Sequence, residues 1–396
     1  MANPDFLAWP FFDAPHRDVA RQVRSWAAEN LTNDHHPEDR PAVDARCRTL
    51  VRELGQAGLT RYCVRAEDGG ALPELDARAI CLLRETLAYW DGLADFCLAM
   101  QGLGSGALSL AGTAELRRRY LPRVAAGSAI AAFALSEPDA GSDVAALSCT
   151  ARRDGSNYVL DGVKTWISNG SIADFYCLFA RTAPGQRRGD GSVSAQGISA
   201  FVVEPSDRGF EIESRIDVIA PHPLAQLKLN GCRIPAERMI GAEGEGFKIA
   251  MRTLDVFRTA VAAAALGFAR RALDEAVTHV QKRAMFGKRL SDFQLTQAAL
   301  ADMATGFDAA QLLTYRAAWL RDRGEPVTRA AAMAKLSATE TAQSIIDRAL
   351  QLFGGRGVRH GEVVERLYRE IRALRIYEGA SEVQKLIIGR ELLRRE

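Results

Sequence analysis

Glu378 lies between an aromatic residue and a glycine in the segment Ile376-Tyr-Glu-Gly-Ala-Ser-Glu-Val-Gln384, just before a helix that can begin near Ser381. A carboxylate held in apolar surroundings has a raised pKa and becomes a usable base near neutral pH. Taken alone, the pattern fits a solvated loop glutamate better. Two more segments carry groups of chemical interest. Phe133-Ala-Leu-Ser-Glu-Pro-Asp-Ala-Gly-Ser-Asp-Val144 starts like a strand and runs into a Pro/Gly turn rich in hydroxyl and backbone donors. Such a loop can wrap a polar heterocycle with amide N–H groups while Gly141 lets a ligand come close; it also reads as an ordinary capped turn. Lys164-Thr-Trp-Ile-Ser-Asn-Gly170 sets Trp166 and Ser168 two residues apart, on one face of a strand. There the indole can cover a flat ring while Ser168 donates to it. A core tryptophan is the plainer alternative.

Other chemistries find little support. Gly102-Leu-Gly-Ser-Gly106 follows a helical stretch, fits neither dinucleotide nor P-loop spacing, and lacks the serine of a hydrolase elbow, so close packing or a helix break explains it. The six histidines, including the pair His35-His36 and His222 between two prolines, make no HxxxH spacing. The seven cysteines, at 47, 63, 81, 97, 149, 177 and 232, make no CxxC pair, which argues against a metal site and against a disulfide framework. With 51 Lys and Arg against 49 Asp and Glu, the net charge of +2 is far from what nucleic acid binding needs, and Arg117-Arg118-Arg119 reads as a solvated helix face.

The elements that must position these groups follow from patterning. At 396 residues, 47% apolar and 25% charged, the chain exceeds one typical core. Helices such as Arg17 to Asn30 and Val43 to Gly58, broken by Pro37, Pro41 and Asp68-Gly69-Gly70, predict an all-α section over 1–128. Short β-prone runs, Tyr158 to Leu160, Phe175 to Phe179, Ile198 to Val203 and Leu227 to Leu229, predict a β-domain over 129–240 with a long exposed hairpin loop from Ala183 to Gly197. From 241 to 396 long helices return; Leu300, Met303, Phe307, Ala310, Leu313, Ala317 and Leu320 keep three-and-four spacing. This α, β, α order is unlike a doubly wound nucleotide fold, so a nucleotide cofactor is expected in a cleft between domains. The first residues lack a secretory pattern, and the most apolar run, Ala260 to Ala269, falls short of the ~20 residues a bilayer takes. A cytoplasmic protein without a membrane segment is expected.

In combination, FALSEPDAGSDV, KTWISNG, Arg283-Ala-Met-Phe-Gly-Lys288, Gln351-Leu-Phe-Gly-Gly-Arg-Gly357 and the Glu378 segment, in this order and at these separations, resemble the signatures of the FAD-dependent acyl-CoA dehydrogenases from about Arg17 to Leu393. The resemblance implies an α+β architecture: an N-terminal α-helical domain, a middle antiparallel β-domain and a C-terminal four-helix bundle. It implies FAD, an acyl-CoA substrate, an electron-transferring flavoprotein as acceptor, and a homotetramer built as a dimer of dimers. Around the flavin it places Phe133, Leu135 and Ser136 near the pyrimidine side, Gly141 and Ser142 near the pyrophosphate, Trp166 flanking the ring and Ser168 donating to the nitrogen that receives hydride. Toward the FAD of a neighbouring subunit it assigns Arg283, whose forked guanidinium suits phosphates, together with Phe286, Gln294, Gln351, Gly354 and Gly355. Ala380 and Glu382 also fall at cofactor positions. Substrate contacts are implied for Ser142, Asp255, Arg258, Tyr377 and Gly379, and the catalytic base for Glu378. A second branch of the family carries its base on an earlier helix, where this chain has Phe257. The implied reaction is α-proton removal by Glu378 with transfer of the β-hydride to flavin, giving a trans-2-enoyl-CoA.

Three departures accompany the resemblance. Ala380 replaces a hydroxyl residue, a change worth ~1 kcal/mol for one neutral hydrogen bond. Asp217-Val-Ile-Ala-Pro-His-Pro-Leu-Ala-Gln226 replaces a Gly/Arg/Ser/Thr-rich stretch near the ligand. The helix expected to line the acyl pocket, Phe96 to Gly106, carries small, uncharged residues, which suggests an apolar pocket. Dehydrogenation of carrier-protein-bound acyl groups, and a non-catalytic partner-binding subunit of a mixed complex, stand as alternatives.

Overall fold

The computed structural model describes residues 5–31, 37–187, 189 and 191–394; His35-His36 lies outside the described residues. In chain order the elements are α1 (Ala14–Asn30), α2 (Arg40–Gln56), α3 (Ala77–Trp90), α4 (Gly92–Ala111), α5 (Ala114–Ala125), β1 (Ala131–Ala134), β2 (Thr150–Asp154), β3 (Asn157–Ser168), β4 (Phe175–Arg181), β5 (Ile198–Val203), β6 (Phe210–Ile216), β7 (Leu224–Pro235), β8 (Met239–Ile240), α6 (Gly246–Lys282), β9 (Ala284–Met285), β10 (Lys288–Arg289), α7 (Gln294–Asp322), α8 (Thr328–Phe353), α9 (Val363–Leu374) and α10 (Ser381–Leu393). Helices on either side of a middle sheet are the acyl-CoA dehydrogenase-like order. α2 begins three residues earlier than the periodicity predicts. Pro41 sits in its first turn, where a missing N–H costs nothing, and Asp39 accepts from the Ala42 N–H at 3.0 Å. The proline opens the helix instead of breaking it.

The chain divides into two compact units, neither of them continuous: Met1–His35, Asp76–Asp95 and Arg258–Glu396 in one, His36–Leu75 and Phe96–Phe257 in the other. In the second unit the sheet runs β6-β7-β3-β2-β4-β5-β8, with β1 added beside β4. Its long ladders are antiparallel, but β1 and β4 pair in parallel, which the domain's hairpin-like texture did not predict. The 102–106 glycines sit inside α4 without breaking it. A Cβ at Gly102 would meet the Phe257 ring at 2.4 Å, one at Gly104 the Ala131 carbonyl carbon at 2.7 Å, and one at Gly106 the Thr253 methyl at 2.8 Å, so close packing is their reason. The loop after β4 is a mostly exposed hairpin, as its composition predicts. Arg181 ties it down by donating to the carbonyls of Leu147, Ser194 and Gln196.

In the first unit, α6 beyond Arg258 packs with α7, α8 and α9 around an alanine-rich core that includes Ala265, Ala269, Ala310, Ala334, Ala338 and Ala342, with Phe268, Ile346 and Leu367 filling the gaps. Small side chains at helical spacing let the backbones approach. Among the described residues one helix, α4, is long and apolar enough to cross a membrane, with a mean hydropathy of 1.2, but 83% of that window is buried inside the protein. It is longer than the run Ala260 to Ala269 that stands out in the sequence, because Asp95 and the glycines interrupt its apolar pattern.

One buried ion pair organises the second unit. Lys164 is fully buried and donates to Glu137 Oε1 at 2.8 Å and to the Leu135 carbonyl at 3.0 Å. Glu137 also accepts from the Ser148 and Cys149 N–H groups, and its carboxyl is held below the usual range: burial works against this, and Lys164 outweighs it. Glu137→Ala, which strands a buried cation, should cost about 3–5 kcal/mol in urea unfolding of the purified protein. A loss below ~1 kcal/mol would show that the pair holds nothing together.

Candidate active site

The same pair sews together two of the motifs. Besides the Lys164 bonds to Leu135 and Glu137, the Thr165 N–H donates to the Ser136 carbonyl at 3.0 Å. The 133–144 loop therefore lies along β3. Immediately beyond, β3 carries a bulge: its register with β7 shifts between Lys164 and Ile167, and Trp166 takes a left-handed φ of 58°. A bulky residue in that region is strained, and such strain clusters at functional sites. The bulge turns Trp166 outward, 58% exposed, so the core-tryptophan alternative falls. Ser168 is half-buried, Phe133 and Leu135 are buried, Ser136 is half-buried, and Gly141 and Ser142 are exposed. A Cβ at Gly141 would meet nothing within 4 Å. An exposed aromatic face, hydroxyls and open backbone amides suit a flat, polar heterocycle. Asp255, on α6, is half-buried.

The 217–226 segment is pinned in the same unit. Asp217 takes a forked bond from Arg40 at 2.7 and 2.6 Å, and the His222 ring lies 4.7 Å from that of Phe96, centroid to centroid.

In the first unit, Glu378 sits on a left-handed turn, with φ of 52° followed by 93° at Gly379. Three side chains from three helices hold that turn by its carbonyls: Arg258 Nε donates to the Glu378 carbonyl at 3.3 Å, and Lys335 Nζ and Gln384 Nε2 donate to that of Gly379 at 2.8 and 2.9 Å. Glu378 is half-buried as a residue, yet its Oε2 is buried with no hydrogen-bond partner among the described residues. Burial raises the carboxyl above its ordinary value; Arg84, Arg258 and Lys335 pull it back and Asp95 pushes it further up. Arg84 and Asp95 form a buried fork at 2.8 Å on both arms. A desolvated carboxylate with one idle oxygen takes up a proton more readily than a solvated one. Tyr377 and Gly379 flank it, Ala380 is half-buried, and Glu382 is exposed on α10.

A cavity of about 490 Å³ in this unit is lined by Glu275, Thr278, His279, Lys282, Arg283, Phe353, Gly355 and Arg356. It joins Arg283 and Gly355, which lie far apart in the sequence. His279 stacks on Phe353 at 4.1 Å, and burial, Arg356 and Arg283 all lower its pKa. Phe286, Gln294, Gln351 and Gly354 are exposed but do not line this cavity; Phe286 is left-handed at φ 49°. Gly354 and Gly355 leave open space where a Cβ would stand.

His16, Asp76 and Asp322 bring ligand-type atoms within 4.8 Å of one another. Their bonds account for the cluster without a metal. His16 Nδ1 accepts from the Asp13 N–H, which puts the proton of a neutral ring on Nε2, facing Asp76. Asp322 is occupied by the Ala77 and Arg78 N–H groups and by the Arg78 guanidinium.

Family models for the acyl-CoA dehydrogenase N-terminal, middle and C-terminal domains match residues 13–128, 132–232 and 244–393. The chain belongs to the acyl-CoA dehydrogenase family. It is 37% identical to a probable acyl-CoA dehydrogenase, fadE25, of Mycobacterium leprae, over 97% of this chain and 98% of the relative. It is 39% identical to the mitochondrial short-chain specific acyl-CoA dehydrogenase of Bos taurus, over 87% and 82% of the two chains. Among solved structures, butyryl-CoA dehydrogenase from Megasphaera elsdenii superposes with a TM-score of 0.86 at 33% identity, covering 97% of this chain and 99% of that one. Acyl-CoA dehydrogenases are FAD flavoproteins and oxidoreductases of CH–CH bonds, and this chain is an enzyme of that kind.

Of the groups that surround Glu378, sequence reasoning named Arg258 and missed Lys335, Arg84, Asp95 and Gln384. Lys335 is the one charged residue in the run Ala330 to Ala338, which was the available signal; Arg84, Asp95 and Gln384 gave none.

Because folding raises the Glu378 pKa, the folded chain keeps the proton that the unfolded chain releases near its ordinary value. Stability from this group is therefore present below that value and lost as pH rises through the folded one. Glu378→Gln, a neutral stand-in, should match the parent near pH 4 and exceed it in chemical denaturation as pH rises, by up to about 1.4 kcal/mol per pH unit within that window. Equal stabilities from pH 4 to 8 would contradict the raised pKa.

Proposed function

We propose that this enzyme converts an acyl-CoA to the trans-2-enoyl-CoA, with Glu378 removing the α-proton. The observation that carries this reading is the buried, partnerless Oε2 of Glu378 on a strained turn. A surface carboxylate would have neither feature, and structural strain of this kind is retained where it serves a site. Bound FAD supplies an acceptor for the hydride that leaves the β-carbon. An α-proton beside a thioester is weakly acidic, so the developing enolate needs donors at its oxygen; the backbone N–H of Glu378 is assigned to that role. Exclusion of water by the substrate raises the base further and strengthens these bonds.

Among the chain's own residues, Trp166 flanks the flavin, Ser168 donates to it, and Phe133, Leu135, Ser136, Gly141 and Ser142 cradle it. Arg283 and Gly355, with Phe286, Gln294, Gln351 and Gly354 around them, receive the FAD of a neighbouring subunit, and Ala380 and Glu382 complete the cofactor set. What supports the first part is the cationic lining of the cavity, Lys282, Arg283 and Arg356, which suits a pyrophosphate. This arrangement calls for an oligomer, for which the family's homotetramer is the form we assign, and electrons then pass to an electron-transferring flavoprotein in the cytoplasm. Ser142, Asp255, Arg258, Tyr377 and Gly379 contact the substrate. A short acyl group is favoured by the names of the short-chain and butyryl-CoA relatives.

Mixing the yellow holoenzyme anaerobically with short, branched, cyclic and long acyl-CoAs should bleach the flavin band with the short ones first. Glu378→Gln should keep FAD and slow the bleaching on the order of 10³-fold. A flavin that no acyl-CoA reduces would redirect the reading to carrier-protein substrates, and a chain that takes up no FAD would make it a non-catalytic subunit.

A further inference from the structure

Lys335 stands out among the groups around the base. It is fully buried on α8 beside Ala331, Ala334 and Ala338, and among the described residues its ammonium makes no ion pair. Its hydrogen bond goes to the Gly379 carbonyl, at 2.8 Å. Burying an ammonium against a single carbonyl is an expensive way to fill space, since an apolar side chain of similar volume is usually as stabilising or more so. The position of the bond suggests what the charge does. It falls on the residue after Glu378, at the second of two left-handed φ values, and Gln384 and Arg258 grip the same turn from other helices.

We propose that Lys335 is a positioning residue for the base: its ammonium clamps the left-handed turn at Gly379 and supplies the buried positive charge that faces the Glu378 carboxylate. The proposal rests on Glu378 being the base. The charged groups that face the carboxylate are Arg84 from α3, Asp95 from α4, Arg258 from α6 and Lys335 from α8. Those that face Lys335 are Glu378, Arg258, Glu340 and Arg375. Burial, opposed by Glu378, brings Lys335 down to about 8. The clamp is therefore charged at neutral pH and loses its charge as pH rises through about 8. That sets an alkaline limit on proton abstraction, while the charge also keeps Glu378 from rising further and so sets the acid limit.

The test compares the holoenzyme with Lys335→Met, Lys335→Gln and Lys335→Arg. Two rates are read from pH 5.5 to 10: anaerobic flavin reduction by the acyl-CoA that the parent accepts, and exchange of that acyl-CoA's α-protons with deuterated water, followed by NMR. Lys335→Met should slow both on the order of 10²-fold, as for a misplaced group, move the acid limb upward and abolish the alkaline limb. Lys335→Gln, which keeps a donor without charge, should show the same two limb changes with a smaller loss of rate. Lys335→Arg should restore most of the rate and carry the alkaline limb out of range. Slowing by Lys335→Met with both limbs unmoved, or the same profile in the Gln and Arg variants, would reduce Lys335 to a packing role and overturn the proposal. If the parent itself neither reduces its flavin nor exchanges α-protons, it is the assignment of Glu378 that fails.

Discussion

The constraint on which the helical unit of this protein turns is the burial of a carboxylate, that of Glu378, one of whose oxygens has no hydrogen-bond partner among the described residues. Leaving Glu378 Oε2 buried and idle costs free energy that folding must offset elsewhere. The surrounding helices meet that cost in two ways. Their side chains take up the backbone carbonyls of the turn, so that Glu378 and Gly379 keep left-handed dihedrals that an isolated loop would relax. Their charges, with Arg84 balanced by Asp95, temper the rise in the carboxyl's pKa without quenching it through a direct ion pair. A glutamate paired to arginine would be more stable, and its carboxyl would be held low.

The other unit solves a different problem with the same tools. A loop whose backbone lies outside the sheet ladders needs an anchor elsewhere. Lys164 and Glu137 provide one: a buried pair whose remaining bonding capacity goes to loop carbonyls and amides. Once the loop is fixed along β3, one extra residue in that strand swings Trp166 away from the core. Two motifs separated by some twenty residues thus act as one surface, because the first is bonded to the stem of the second. Left-handed backbone at residues other than glycine appears in both units, at Trp166 and Asn169 in one and at Phe286 and Glu378 in the other.

Much of this was legible in the chain. Short β-prone runs between turn residues located β4, β5 and β7, and three-and-four spacing located α7, because residue type and spacing record which elements and faces meet the core. Where the structure differs from the sequence pattern, the reason is local. Pro41 begins a helix, because a proline in the first turn loses no hydrogen bond, and the glycines of α4 leave it unbroken because they admit Phe257 and Thr253.

The sequence by itself determined the order of elements, the family, the cofactor and the few residues whose types suit the chemistry. Each of these is written in residue identity and spacing along one strand or helix. Only the tertiary structure decided that Trp166 is exposed, that Glu378 is buried with an unpartnered oxygen, and that Lys335, Arg84, Asp95 and Gln384 gather around its turn. Those facts depend on groups tens to hundreds of positions apart, brought together by core packing. Burial and electric field are properties of that assembly, and no local pattern encodes them.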